Sequence, residues 1–416
     1  MKFQQLIPQK KTISLEQLRS NLLLSNSYVP PSQQRVIEFL NTLSHELFNS
    51  VSHSQDPEIS ALAFWLRKGS ILPLVHDRTE AIKAQKAKKR ARGVVFLMPP
   101  TNVGLLFCYQ MALALLTGNK VIIRISPSAP VNSFILCDII RALLRSAKHQ
   151  EIANNFHVFS YDHQKEITEA ISQNCDLRLI WGGNKTVQKI RTVPLAPKAM
   201  DVSFSDRFSW AVIKTNQFLE LGETKQIELV KKLRNDITLF DQQACTSPKI
   251  LCWIGTEDER EHSSKILRKI LGLLSGRTSY EIDLAGMVEK HENLYSLMAL
   301  LTGSKQHSIP SDISFLTTKR ITKEDLLNIH DFNKGNGILI ETGFKAISEL
   351  TTVISSKEQT LSYYGYTTEE LNVLSEEING PFFDTLIPIG KAHTFSHIWD
   401  GYNLFDLYQR DVRVTK

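Results

Sequence analysis

The feature that most limits the fold is an alternation of short apolar runs with helical stretches between Gly93 and Arg191. Val94-Val95-Phe96-Leu97-Met98 is apolar throughout, as a strand buried on both faces must be, and Pro99-Pro100 stops it. Val103 to Leu116 reads as a strongly apolar helix, ended by Gly118. Val121 to Ile125 is a second strand and Pro130 to Ala147 a second helix. His157 to Tyr161, Gln164 to Ile171 and Leu177 to Trp181 continue as strand, helix, strand, before a helix from Lys185 to Arg191. This spacing specifies an α/β fold with a parallel, doubly wound sheet. Such a sheet binds ligands beyond the carboxyl ends of its strands.

The flanking segments read differently. Residues up to about Asp77 are expected to be mainly helical, with Ser14-Leu15-Glu16-Gln17 and Pro31-Ser32-Gln33-Gln34 as helix starts. A second α/β domain begins near Val212, with helix 222–234, strand 249–254, helix 258–275, a strand near 337–341 and helix 345–350. The expected organisation is a helical segment over 1–77, a first α/β domain over 78–211, a second over 212–390 and a tail over 391–416. In the tail, Asp411-Val412-Arg413-Val414 reads as a strand for pairing with another subunit. A chain of 416 residues, 42% hydrophobic, is long enough for two such domains.

Charge and cysteine usage exclude several functions. The net charge is +6, much of it from Lys83, Lys86, Lys88, Lys89, Arg90 and Arg92. No aromatic residues interleave with these cations, so the run reads as a solvated helix face and linker rather than a nucleic-acid surface. The five cysteines are odd in number and form no C-x-x-C pair, which suggests neither a disulfide framework nor a zinc site. A reducing cytoplasm fits that usage. His393 and His397 stand four apart with only Asp400 nearby, a poor metal set. Met1-Lys2-Phe3-Gln4-Gln5 lacks the apolar core of a signal peptide, and no apolar stretch is long enough to span a bilayer.

Four places carry candidate chemistry. Cys245 sits in a polar loop among Gln242, Gln243, Thr246 and Ser247, between a helical run and an apolar strand. A structural cysteine usually lies within an apolar run, whereas a reactive thiol needs hydrogen-bonding neighbours. Asn102 follows a strand, where its amide either donates to an oxyanion or makes an Asx-turn before the next helix. Gly182-Gly183-Asn184 joins a strand to a helix and allows close approach of a phosphate, although no G-x-G-x-x-G is present. Arg124, followed by Ser126 and Ser128, suits a ribose or phosphate, or else a salt bridge at the sheet edge.

Together these segments resemble the aldehyde dehydrogenase superfamily, and within it the acyl-CoA reductase branch, the LuxC-type fatty acid reductases. The resemblance is carried by Pro99-Pro100-Thr101-Asn102-Val103, Leu116-Thr117-Gly118-Asn119, Trp181-Gly182-Gly183-Asn184, Phe240-Asp241-Gln242-Gln243-Ala244-Cys245-Thr246-Ser247-Pro248 and Trp399-Asp400-Gly401-Tyr402. It implies two doubly wound domains and an aldehyde-forming reduction of an acyl thioester. By resemblance, Cys245 is the acyl-carrying nucleophile and Asn102 an oxyanion donor. Arg124 stands where the superfamily has a lysine that meets the adenosine ribose, and Gly183 and Asn184 match the turn that meets the cofactor pyrophosphate; the reading of the residues themselves adds Ser126 and Gly182 to these two sites. The implied cofactor is NADPH, with NADH possible. The implied partners are an acyl-CoA or an acyl-carrier or acyl-protein donor, an acyl-protein synthetase and a second copy of the chain.

The sequence departs from aldehyde-oxidising members where Ser203 stands near their water-activating glutamate, which leaves that base missing. Asp201 and Asp206 are the nearby carboxylates. Two other readings remain open at this stage: an acyltransferase or thioesterase that uses Cys245 without redox chemistry, and a scaffold subunit without catalysis.

Overall fold

The computed structural model describes residues 1–20, 29–49, 56–85, 88–275, 284–300, 317–321, 326, 335–378 and 380–414. The chain divides into two compact units, Met1–Ser205 with His397–Lys416, and Asp206–Ser396.

In the first unit the strands are β1 (Lys2–Ile7), β2 (Lys11–Ser14), β3 (Lys89–Ala91), β4 (Val94–Met98), β5 (Lys120–Ile125), β6 (Phe156–Ser160), β7 (Leu177–Trp181) and β8 (Met200–Phe204). The apolar runs read from the sequence become β4, β5, β6 and β7, and their interior positions are buried. The main sheet has the order β2-β1-β6-β5-β4-β7-β8, and from β6 to β8 its neighbours are parallel. The chain runs from β4 outward through β5 and β6, then returns to the other side of β4 for β7 and β8. The order therefore reverses between β4 and β7, and the crevice beyond their carboxyl ends is the switch point where such sheets bind ligands. Phe96, Ile122, Phe159 and Ile180 pack into one core on this sheet.

The first residues depart from the helical expectation. The helices at Gln33–Asn49, Pro57–Leu66 and Lys68–Ala84 are present, but Lys2 to Ser14 forms an antiparallel hairpin whose β1 extends the sheet along β6. Ser14 and Gln17 do make a capping box, yet the helix they open lasts only Leu15–Leu18. The alternation in β1 is too short to stand out in the sequence, and docking on β6 decides it.

The basic run is also not simply solvated. Lys89 bridges Asp406 (3.2 Å) and Asp411 (2.8 Å), and Arg92 donates to the carbonyls of Leu407 (2.6 Å) and Gln409 (2.7 Å). Lys86 lies outside the described residues. The C-terminal segment returns to this unit through β15 (Ile398–Trp399), β16 (Tyr402–Asn403) and β17 (Gln409–Asp411). The strand expected over Asp411–Val414 lies earlier, at Gln409–Asp411, and β17 pairs antiparallel with β3 of the same chain.

The second unit holds β9 (Phe208–Lys214), β10 (Pro248–Ile254), β11 (Thr317–Arg320), β12 (Ile338–Phe344), β13 (Glu358–Tyr364) and β14 (Thr385–Pro388). They form one parallel sheet in the order β11-β12-β10-β9-β13-β14. Helices Glu223–Thr238 and Glu257–Ser275 bury Leu229, Leu233, Leu267 and Leu271 against Leu251 and Trp253 of β10. The expected 345–350 helix is a 3-10 stretch at Ile347–Thr352. The unit starts just before β9, whereas the boundary expected from sequence at 211/212 cuts through that strand.

Candidate active site

Helix Glu223–Thr238 leads into a left-handed turn. Phe240 (φ 57°), Asp241 (φ 51°) and Gln242 (φ 59°) all lie in the region that non-glycine residues disfavour. Such residues cost on the order of 1–3 kcal/mol each and persist only where surrounding bonds over-determine them. The Gln242 amide is one such clamp, fully buried, donating to the carbonyls of Pro248 (2.8 Å) and Ile338 (2.9 Å) and accepting from Ile338 N–H (2.9 Å). It ties the turn to the first residues of both β10 and β12. Asn336 N–H donates to the Asp241 carbonyl (2.9 Å), and Gln243 Nε2 donates to Asn336 Oδ1 (3.2 Å). Gly335, at φ 104°, permits this approach: a Cβ there would stand 2.9 Å from the Gln242 carbonyl oxygen.

Cys245 follows in a tight turn closed by Ser247 N–H donating to the Ala244 carbonyl (3.0 Å). Ser209 Oγ donates to the Cys245 carbonyl (2.6 Å) and accepts from Thr360 N–H (3.2 Å). Cys245 thus stands at the amino end of β10, the edge from which this unit's parallel strands start.

The thiol environment separates Cys245 from the other four cysteines. Cys108, Cys137, Cys175 and Cys252 are buried, and burial pushes their thiols upward, to about 12 for Cys137 and Cys175 and further for the other two. Such thiols are inert. Cys245 is half-buried. Lys249, half-buried four residues on, interacts electrostatically with both Cys245 and Asp206. Burial pushes its ammonium down to about 8, against the pull of those two groups. The sequence reading missed Lys249, because a single lysine at the start of a strand carries no motif.

His393 was also missed in this role. Its Nδ1 is 3.0 Å from Thr246 Oγ1, and its Nε2 is 2.8 Å from the Asp236 carbonyl oxygen. Burial pushes its pKa down to about 4, so the ring is neutral at pH 7.

The expected cofactor residues line one edge of the first unit's sheet. Asn102 is exposed in the bend after β4, and Gly182 and Gly183 follow β7, so the two segments flank the switch point. The helix after Asn102 has Leu105 as its N-cap, a residue with no side-chain cap bond. Gly183 is the N-cap of helix Asn184–Arg191, again with no side chain closing the cap. At the end of β5, Arg124 Nε donates to the Tyr161 carbonyl (3.1 Å), and its guanidinium lies over the Tyr161 ring at 5.6 Å. Ser126 Oγ and Ser128 Oγ are 2.8 Å apart.

The nearby carboxylates separate clearly. Ser203 is half-buried in β8. Asp201, two residues earlier, holds Arg178 with both oxygens (2.9 and 2.7 Å), and Arg178 is 1% exposed. That carboxylate is committed to an internal ion pair and is a poor base for water. Asp206 is exposed and interacts with Lys249. Glu341 is fully buried and accepts from Trp253 Nε1 (2.9 Å) and Ser264 Oγ (2.7 Å), so it supports packing. Among the described residues no group of histidine, cysteine and carboxylate side chains could hold a metal ion. No helix among them is long and apolar enough to cross a membrane.

Known structures share the fold. A lactaldehyde dehydrogenase from Escherichia coli is 13% identical, with 91% of this chain and 83% of that one covered and a TM-score of 0.61. A mutant of the P. syringae indole-3-acetaldehyde dehydrogenase AldA, in complex with NAD+ and IAA, is 13% identical over 91% of this chain and 82% of that one, with a TM-score of 0.63. PnpE in complex with nicotinamide adenine dinucleotide is 14% identical over 91% and 82%, with a TM-score of 0.60. The fold is that of the aldehyde dehydrogenases. No curated protein matches the sequence. The model of the acyl-CoA reductase (LuxC) family matches residues 67–272, a stretch that contains both Asn102 and Cys245. The matched stretch, just under half of the chain, is similar to that family, and with the fold it supports an oxidoreductase.

Proposed function

We propose that the protein reduces an acyl thioester to an aldehyde with NADPH, through an acyl group carried on Cys245. The observation that carries this reading is the position of Cys245: alone among the five cysteines it lies outside the apolar interior, in a clamped turn, with the Lys249 ammonium in electrostatic range.

Lys249 favours the thiolate, which is the nucleophilic form. The thiolate attacks the thioester carbonyl carbon, and the carbonyl electron pair moves onto oxygen. The Cys245 N–H is one donor to that oxyanion, and Asn102 is the second donor that the resemblance assigns. Each such donor is worth about 2.7–4 kcal/mol in comparable sites. Collapse of the adduct expels the donor thiolate and leaves acyl-Cys245. The family fold implies a nicotinamide dinucleotide, and the first unit fits one: an uncapped helix start after two glycines at the switch point favours a pyrophosphate. Arg124, Ser126, Gly182, Gly183 and Asn184 would hold it. When bound, it supplies the hydride that converts a thioester carbonyl to the aldehyde level. Arg124 and Ser126 suit the 2′-phosphate of NADPH through charge-assisted hydrogen bonds.

Acyl-CoA or an acyl-protein supplied by a synthetase is the proposed donor, in a cytoplasmic homo-oligomer. The test follows NADPH absorbance with acyl-CoAs from short to long. Oxidation with aldehyde formation supports the reading. Release of CoA without NADPH oxidation moves the protein to an acyltransferase or thioesterase, and neither event leaves a scaffold.

A further inference from the structure

His393 and His397 belong to different units, and the His397 carbonyl accepts from Leu404 N–H (2.8 Å). The geometry around His393 points to another role. We propose that His393 is a positioning residue for Cys245, acting through Thr246. This rests on the reading of Cys245 as the nucleophile.

A carbonyl oxygen only accepts, so the bond to Asp236 fixes the proton on Nε2. Nδ1 is then an acceptor, and the Thr246 hydroxyl donates to it. The Asp236 carboxylate in turn accepts from Gly390 N–H (2.6 Å) and Ala392 N–H (3.2 Å), in the segment that carries His393. The end of helix Glu223–Thr238, the 390–393 segment and the residue after the nucleophile are thereby joined in one hydrogen-bonded circuit. Phe240, at the left-handed turn, meets the imidazole ring edge-on at 5.3 Å. Of the other clamps on this loop, Ser209 binds the Cys245 carbonyl, Gln242 binds main-chain groups of β10 and β12, and Gln243 binds the Asn336 side chain. The His393 bond fixes the side chain of Thr246, the residue next to Cys245 in the chain, and it works only while the ring is neutral with one donor and one acceptor.

Replacing both ends of the ring tests the role. His393→Leu offers neither donor nor acceptor, whereas His393→Gln offers an amide N–H and a carbonyl. The readout is the rate of Cys245 alkylation by iodoacetamide, located by mass spectrometry in protein confirmed to be folded. His393→Leu should slow alkylation, and acyl transfer from acyl-CoA, by about 10- to 100-fold. His393→Gln should recover most of the rate, and NADPH affinity should not change in either. Thr246→Val removes the other partner and should match His393→Leu, with no further loss in the double variant. A wild-type rate in folded His393→Leu, equal losses in the Gln and Leu variants, or additive losses with Thr246→Val would overturn the proposal. Alkylation needs no acyl donor. Failure of the parent protein to accept an acyl group therefore sinks the nucleophile reading separately.

Discussion

Lys249→Met separates a functional cation from a structural one, because the two roles predict opposite stability effects. The Lys249 pKa falls from 10.5 to about 8 in the folded protein. A lysine with a lowered folded pKa opposes folding below that pKa, since the unfolded chain holds the proton more readily. The penalty is fully present below about pH 8 and disappears as pH rises toward 10.5. A shift of that size corresponds to at most about 3 kcal/mol, and for a residue that is only half-buried overall we take about 1–3 kcal/mol. Methionine keeps the length and much of the packing of lysine without the charge. Lys249→Met should therefore unfold at higher urea at pH 7, by about 1–3 kcal/mol, and the gain should shrink toward pH 10. The same variant should react more slowly at Cys245, with its alkylation profile displaced to higher pH. A variant that is less stable at pH 7 and alkylates normally would refute a role for Lys249 in thiolate stabilisation.

Two further outcomes follow from the same geometry. Cys245→Ala should abolish acylation, while Cys252→Ala, fully buried beside Trp253, should lose only about 1–2 kcal/mol of stability and keep its activity; calorimetry and acyl labelling check both. Arg124→Ala should lose its preference for NADPH over NADH by about tenfold or more in kcat/KM; an unchanged ratio would remove Arg124 from 2′-phosphate recognition.

Much of the first unit was legible because β4, β5 and β7 are apolar enough to declare burial on both faces. β13 was not, since buried Glu358, Gln359, Thr360 and Ser362 give it no apolar pattern. Those side chains fit only because neighbouring strands surround them. Cys245 stood out through its polar neighbours, and Asn102 through its place after a strand. Lys249, Ser209 and His393 were silent in the sequence. Ser209 and His393 reach the cysteine turn only once the sheet and the 390–393 segment are folded, and nothing local marks them.

The most direct measurement follows an acyl group labelled in its carbonyl carbon. The resemblance puts Ser203 where aldehyde-oxidising members have a carboxylate, and Asp201 is held by Arg178, so we expect no side chain of β8 to activate water. The protein is incubated with labelled acyl-CoA without NADPH, digested and mapped, then chased with NADPH. The predicted result is label retained on Cys245 and discharged as aldehyde when NADPH is added. Label absent from Cys245, or released rapidly as free acid before NADPH is present, would contradict an acyl-cysteine reductase.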